Sequence, residues 1–250
     1  MLDIAAIRRN RGQGTFVTGS VVESASVIET YKSNWNKQNK QLVLSSNLQT
    51  FKNPTLDISW LEAAAETYNI SGDPRDYVLV EVPLITLDCP NRNCQAFPFE
   101  EMSYFDPLHG KMVFQTFLGK PTHQDHDNKD PLKAKGVNFD VTLQYVQHYD
   151  IWKCVVLSGF DRTKDKWLAD QIATGKRKYY SMGALVDLFL CSICGNIDTQ
   201  KKQCSDMKKG KGSLVNGAIV YQLCVGVNFI ENSSVTDPAD ITAAGLQLWK

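Results

Sequence analysis

Histidine is scarce in this 250-residue chain: there are four, and two of them share one polar stretch. Residues 122–130 hold His123 and His126 beside Asp125, Asp127 and Asp130. Gly119, Lys120 and Pro121 before the stretch, and Pro131 after it, predict a loop. Imidazole changes charge near neutral pH, so it suits both proton transfer and metal ligation. Two chemistries are therefore open here. One histidine could be a general base, or His123, Asp125 and His126 could hold a divalent metal that activates water. No other histidine offers an obvious third ligand for such a catalytic metal.

Two further residues have chemistry within reach. Ser181 opens an apolar run and is followed by Met182 and the small residues Gly183 and Ala184, a setting that can present a hydroxyl to a cleft. That hydroxyl is a weak nucleophile until a base takes its proton. The surroundings are not G-x-S-x-G, which argues against an α/β-hydrolase. Glu231 is an acid inside the otherwise apolar stretch 229–235. A carboxylate there can orient an imidazole and stabilise its cation. Taken singly, each feature has a plain structural explanation: a polar turn, a serine near a turn, a strand residue facing solvent.

Taken together, the three blocks resemble the prohead maturation proteases of tailed bacteriophages, which share a fold with the herpesvirus assemblins. His126 precedes a glycine-containing strand at Ala134, Lys135, Gly136 and Val137. An aromatic-Ser-hydrophobic-Gly block follows at Tyr180, Ser181, Met182 and Gly183. The closing block is Glu231, Ser233, Val235, Thr236, Pro238 and Ala239. The likeness covers about residues 110–245 and leaves 1–75 without a counterpart.

The resemblance implies a serine endopeptidase. Ser181 would attack a peptide carbonyl, His126 would take its proton and return it to the leaving amine, and Glu231 would orient the imidazole. His126 is preferred over His123 because it lies closer to the following strand and directly precedes Asp127 and Asn128. If Glu231 is not the third member, Asp206 is the next acid to test, or the enzyme works as a dyad. The implied substrates are scaffold protein, capsid protein and the chain itself, inside a procapsid in the host cytoplasm. Such proteases act when paired or concentrated, so a homodimer or higher assembly is expected. The rival reading, from another class, is a virion component that keeps the fold without the activity.

The stretch between Ser181 and Glu231 exceeds the family's pattern, and the excess, at about 191–212, is an insertion rich in cysteine. Cys191 and Cys194 form C-x2-C with Gly195 after them. That turn lets backbone N–H groups face the sulfurs, an arrangement suited to tetrahedral zinc. Cys204 is the third expected ligand, and the fourth is Cys224 or Asp206, with Cys224 placed first. The expectation is a structural zinc, and no cofactor for catalysis. Lys201, Lys202, Lys208, Lys209 and Lys211 make a solvated loop around it. Cys89 and Cys94 are read as a turn at a strand end. The cysteine count is seven, and the N-terminus lacks a charged segment leading into an apolar run. Reduced thiols are therefore expected, with no signal peptide and no disulfide framework.

The positioning elements read as α+β: a mostly antiparallel β-barrel flanked by helices. Helices are predicted over 60–66, with Ser59 and Glu62 as a capping box, and over 167–174, stopped by Gly175. Strands are predicted over 77–87, with Pro83 marking an edge or bulge, and over 137–144, 153–158, 179–190, 218–227 and 229–235. The division expected is an N-terminal region, 1–75, and a protease-like domain, 76–250. Arg8, Arg9 and Arg11 and the polar run 31–41 look like solvated chain. Twenty-seven Lys and Arg balance twenty-seven Asp and Glu, which argues against a dedicated nucleic-acid binder. No stretch reaches the roughly 20 apolar residues that a membrane helix requires.

Overall fold

A computed structural model describes residues 59–199, 202–245 and 247–249. The basic triplet and the polar run 31–41 lie outside the described residues. Among the described residues the first helix, α1 (Leu61–Tyr68), precedes the long strand β1 (Tyr77–Thr86). Next come β2 (Gln95–Ala96), α2 (Phe99–Met102), the hairpin β3 (Phe105–Asp106) with β4 (Lys111–Met112), and β5 (Pro121–Gln124). The hairpin of β6 (Gly136–Val146) and β7 (Ile151–Asp161) leads to α3 (Lys166–Ala173) and β8 (Tyr179–Cys191). The insertion holds β9 (Ile197–Asp198), α4 (Ser205–Lys208), β10 (Leu214–Val215) and β11 (Ala218–Ile219). Last are β12 (Gln222–Val235) and β13 (Gln247–Trp249).

Nine strands form one sheet in the order β13-β1-β7-β6-β5-β12-β8-β9, with β2 also beside β12. Among the described strands the β12–β5 and β12–β2 pairings are parallel and the others antiparallel. The fold is thus α+β, with a large, mostly antiparallel sheet and few helices. Strand pairing among the described residues leaves the sheet open. The C-terminal chain links the start of β8 to β1: Tyr180 N donates to Ala243 O at 2.9 Å, Gly245 N donates to Lys178 O at 2.8 Å, and β13 then pairs with β1.

Burial explains why the elements sit where they do. β7 is covered on both faces. Val155 and Leu157 meet Leu61 and Ala64 of α1, together with Val137 and Phe139. Cys154, Val156 and Phe160 face the main core, which includes Leu168 and Ile172 of α3. A strand buried twice reads as a continuous apolar run rather than an alternating one, as 153–158 does. β1 bulges between Pro83 and Ile85, because proline cannot donate to the ladder. α3 begins at an Asp165 cap whose carboxylate accepts from Leu168 N at 2.9 Å, and it ends before Gly175, at φ +70°.

Three local expectations change. The N-cap of α1 is Trp60, with no side-chain cap bond, so the Ser59–Glu62 capping box does not form. The two strands predicted over 218–235 become one strand, β12, with a shift between Phe229 and Glu231, while Ala218 and Ile219 belong to a small separate hairpin. Part of the predicted 122–130 loop is strand: Thr122 to Gln124 lie in β5, between β6 and β12. The turn reading of Cys89 to Cys94 matches the Cys94 N to Asn91 O bond at 2.8 Å.

Candidate active site

Paired strands bring the first two candidate residues to one place. In the β8–β12 ladder, Ser181 faces Ser233 and Gly183 faces Glu231. Directly opposed residues of an antiparallel pair project to the same face, so these four positions share a surface. Gly183 is needed there. A Cβ at this position would lie 2.6 Å from Glu231 Oε1, so the carboxylate lies over the bare glycine. Gly183→Ala should therefore destabilise the fold by about 1–3 kcal/mol and push the carboxylate aside. Thermal unfolding reads the first effect, and the imidazole titration of His126 reads the second. An unchanged midpoint together with an unchanged titration would contradict this packing.

The third residue comes from the turn after β5. Asp125 and His126 both adopt left-handed backbone, at φ 50° and 57°. Non-glycine residues avoid that region, so neighbouring bonds must hold the turn. Arg177 donates to Asp125 Oδ1 at 2.8 Å, to Ser234 O at 2.9 Å and to Ser234 Oγ at 3.0 Å. Asp125 N donates to Ser234 O at 3.0 Å, and His126 N donates to Ser233 Oγ at 3.2 Å. The chain thereby doubles back over β12, and His126 Nδ1 comes to 2.7 Å from Glu231 Oε1.

Glu231 is 1% exposed and uses both oxygens, since Ser233 Oγ donates to its Oε2 at 2.6 Å. An ionised carboxylate only accepts, so the shared proton sits on His126 Nδ1. Nε2 of the neutral ring is then left as a base. The hydrogen bond to Glu231 raises the His126 pKa above its ordinary value, and burial opposes it only in part. His123 differs. It is 1% exposed, its Nδ1 has no partner among the described residues, and burial lowers its pKa despite the nearby Glu231.

His126 and Ser181 line the same cavity, of about 400 Å³. Met182, Ala184, Leu84, Ile85 and Phe97 contribute apolar wall, while Asn91, Gln95 and Thr86 contribute polar wall. Ser181 is half-buried, and among the described residues its hydroxyl makes no hydrogen bond. The structure thus joins His126 to Glu231 directly and brings Ser181 to the cavity that His126 lines.

The catalytic-metal arrangement does not assemble. His126 Nδ1 is taken by Glu231 and Asp125 by Arg177. Among the described residues, metal-ligand side chains gather in one other place: Cys191, Cys194, Cys204 and Asp206, with ligand atoms all within 4.8 Å of one another. This cluster could hold a metal ion. It corrects the expected set, because Asp206 takes the place given to Cys224. In the ladder Cys191 faces Gln222 and Cys224 faces Phe189, and the Cys224 side chain packs into the main core instead. Asp206 is accordingly a member of the cysteine cluster and not a substitute for Glu231.

Sequence reasoning assigned no role to Ser233 or to Arg177, and it gave Gly183 a role beside Ser181 but not the close approach of Glu231. Ser233 lay in the closing block, so its spacing of two from Glu231 was a usable signal; Arg177 gave none. No helix among the described residues is long and apolar enough to cross a membrane. Comparison with protein-family models, with curated proteins and with solved structures gives no match.

Proposed function

We propose that this chain is a serine endopeptidase that cleaves scaffold and capsid proteins, and itself, during maturation of a phage procapsid. The observation that carries the reading is the 2.7 Å bond between His126 and a buried Glu231 at a cavity shared with Ser181. In this mechanism Ser181 Oγ attacks the peptide carbonyl and passes its proton to His126 Nε2. Glu231 stabilises the imidazolium that forms. The tetrahedral intermediate collapses, the C–N bond breaks, and the Nε2 proton goes to the leaving amine. Water then repeats the sequence on the acyl-enzyme, releasing the acid and restoring Ser181.

On this reading the sheet is an assemblin-like barrel completed by the C-terminal segment. The cysteine cluster carries a structural zinc and takes no part in cleavage. The protein works as a homodimer or larger assembly inside the procapsid, in the host cytoplasm. The direct test is incubation of the purified chain with unprocessed scaffold and capsid proteins. Fragments are expected with the native chain and none with Ser181→Ala; identical fragments from both would overturn the assignment.

One observation favours a second reading, in which the chain is a catalytically silent virion component. The Ser181 hydroxyl lacks a hydrogen bond to the imidazole. Nucleophile–base contacts are often loose before substrate binds, which is why the peptidase reading stands first. Abundant, uncleaving copies of the chain in mature particles would decide for the silent role.

A further inference from the structure

The insertion between β8 and β12 is larger than its own core can hold. Among the described residues of 192–221 the buried hydrophobic side chains are Met207, Val215 and Val220, which form a small satellite cluster with Cys191, against which Ile193, Cys194 and Cys204 pack. Elements of two to four residues, β9, α4, β10 and β11, have little stability of their own. Small units of this kind are usually fixed by a metal or a disulfide, and every cysteine here is a free thiol.

We infer that Cys191, Cys194, Cys204 and Asp206 form one tetrahedral centre for zinc, which staples the insertion to the end of β8 that walls the cavity. The ligand atoms lie within 4.8 Å of one another. Around a zinc with bonds near 2.3 Å, neighbouring sulfurs sit about 3.8 Å apart, so small side-chain rotations close the site. The backbone is already shaped for thiolates. Gly195, at φ +69°, turns the chain so that its N–H donates to Cys191 O at 2.8 Å. Met207 N donates to Cys204 Sγ at 3.5 Å. A donor aimed at a ligand sulfur, as at Cys204, is what a thiolate centre requires. Three thiolates and one carboxylate leave the zinc centre with two negative charges, and Lys208 and Lys209 follow Asp206 closely in the chain.

The staple reaches the cavity through the ladder. Cys191 ends β8, and two residues earlier Phe189 pairs with both Cys224 and Asp198. Phe189 and Cys224 line the cavity. Metal loading therefore fixes the far wall of the cavity while leaving His126 and Glu231 untouched. The inference concerns the insertion alone and does not depend on peptidase activity.

The test uses the full chain, reduced and reconstituted with cobalt(II) or zinc. One equivalent is expected to bind, with thiolate-to-cobalt charge-transfer bands and tetrahedral d–d bands. Removing an outer partner of a metal ligand typically costs 10–100-fold in affinity, so losing a ligand should cost at least as much. Cys194→Ser and Asp206→Ala should accordingly weaken zinc binding by at least about 10-fold, while Cys224→Ser leaves it unchanged. Hydrogen exchange should show 197–199 and 214–220 losing protection in chelator while β1 and β7 keep theirs. Failure of the native chain to bind the metal, or loss of binding in Cys224→Ser with Asp206→Ala unaffected, would overturn the proposal, as would protection indifferent to chelator.

Discussion

Ser181→Ala is expected to lower peptide-bond cleavage by about 10⁴–10⁶-fold, the scale on which a serine peptidase depends on its nucleophile. The same substitution should leave folding nearly unchanged. Ser181 is half-buried and its hydroxyl makes no hydrogen bond among the described residues, so its removal should alter stability by no more than about 0.5 kcal/mol. The two readouts together separate chemistry from structure. Parallel loss of activity and of the unfolding midpoint would mean that Ser181 is a packing residue. Retained cleavage would remove it from the mechanism.

Glu231→Gln is the second large effect, with cleavage falling by about 10²–10⁴-fold. The amide keeps the shape but reverses one end, since its NH2 donates where a carboxylate oxygen accepted. Facing His126 Nδ1, it favours the tautomer with hydrogen on Nε2, and that ring cannot receive the serine proton. The pH dependence follows from the raised His126 pKa, caused first by its bond to Glu231. A general base must be neutral, so activity should climb with pH through a midpoint above the ordinary 6.5 of histidine, and Glu231→Gln should bring that midpoint down. Stability runs the other way. A folded-state pKa above the unfolded value gives stabilisation that is complete below the unfolded pKa and fades as pH rises through the folded one. Denaturant midpoints between pH 5 and 8 should show that decline in the native chain and not in Glu231→Gln. A flat profile in both would contradict the His126–Glu231 bond.

The sheet and the site were legible in the sequence to different degrees. The run 153–158 announced a strand, and Pro83 announced an edge or a bulge in the strand over 77–87, because both signals are local. His126 and Glu231 lie 105 residues apart and meet at 2.7 Å, which only the shared motif order suggested. What spacing could not convey was register. Cys224 was placed ahead of Asp206 along the chain, and the β8–β12 ladder sets Cys224 opposite Phe189, away from the cysteine cluster. Arg177 was equally invisible, since an arginine 52 residues from Asp125 carries no mark of the strained turn that it braces. Polar composition also misled: Thr122, His123 and Gln124 read as loop but complete a ladder between β6 and β12.

The most direct test is labelling of the purified chain with a serine-reactive phosphonate, followed by peptide mapping. The adduct is expected on Ser181 in the native chain and should vanish in His126→Ala, because the hydroxyl attacks phosphorus only when the imidazole removes its proton. No adduct on Ser181, or one that forms equally well without His126, would contradict the account.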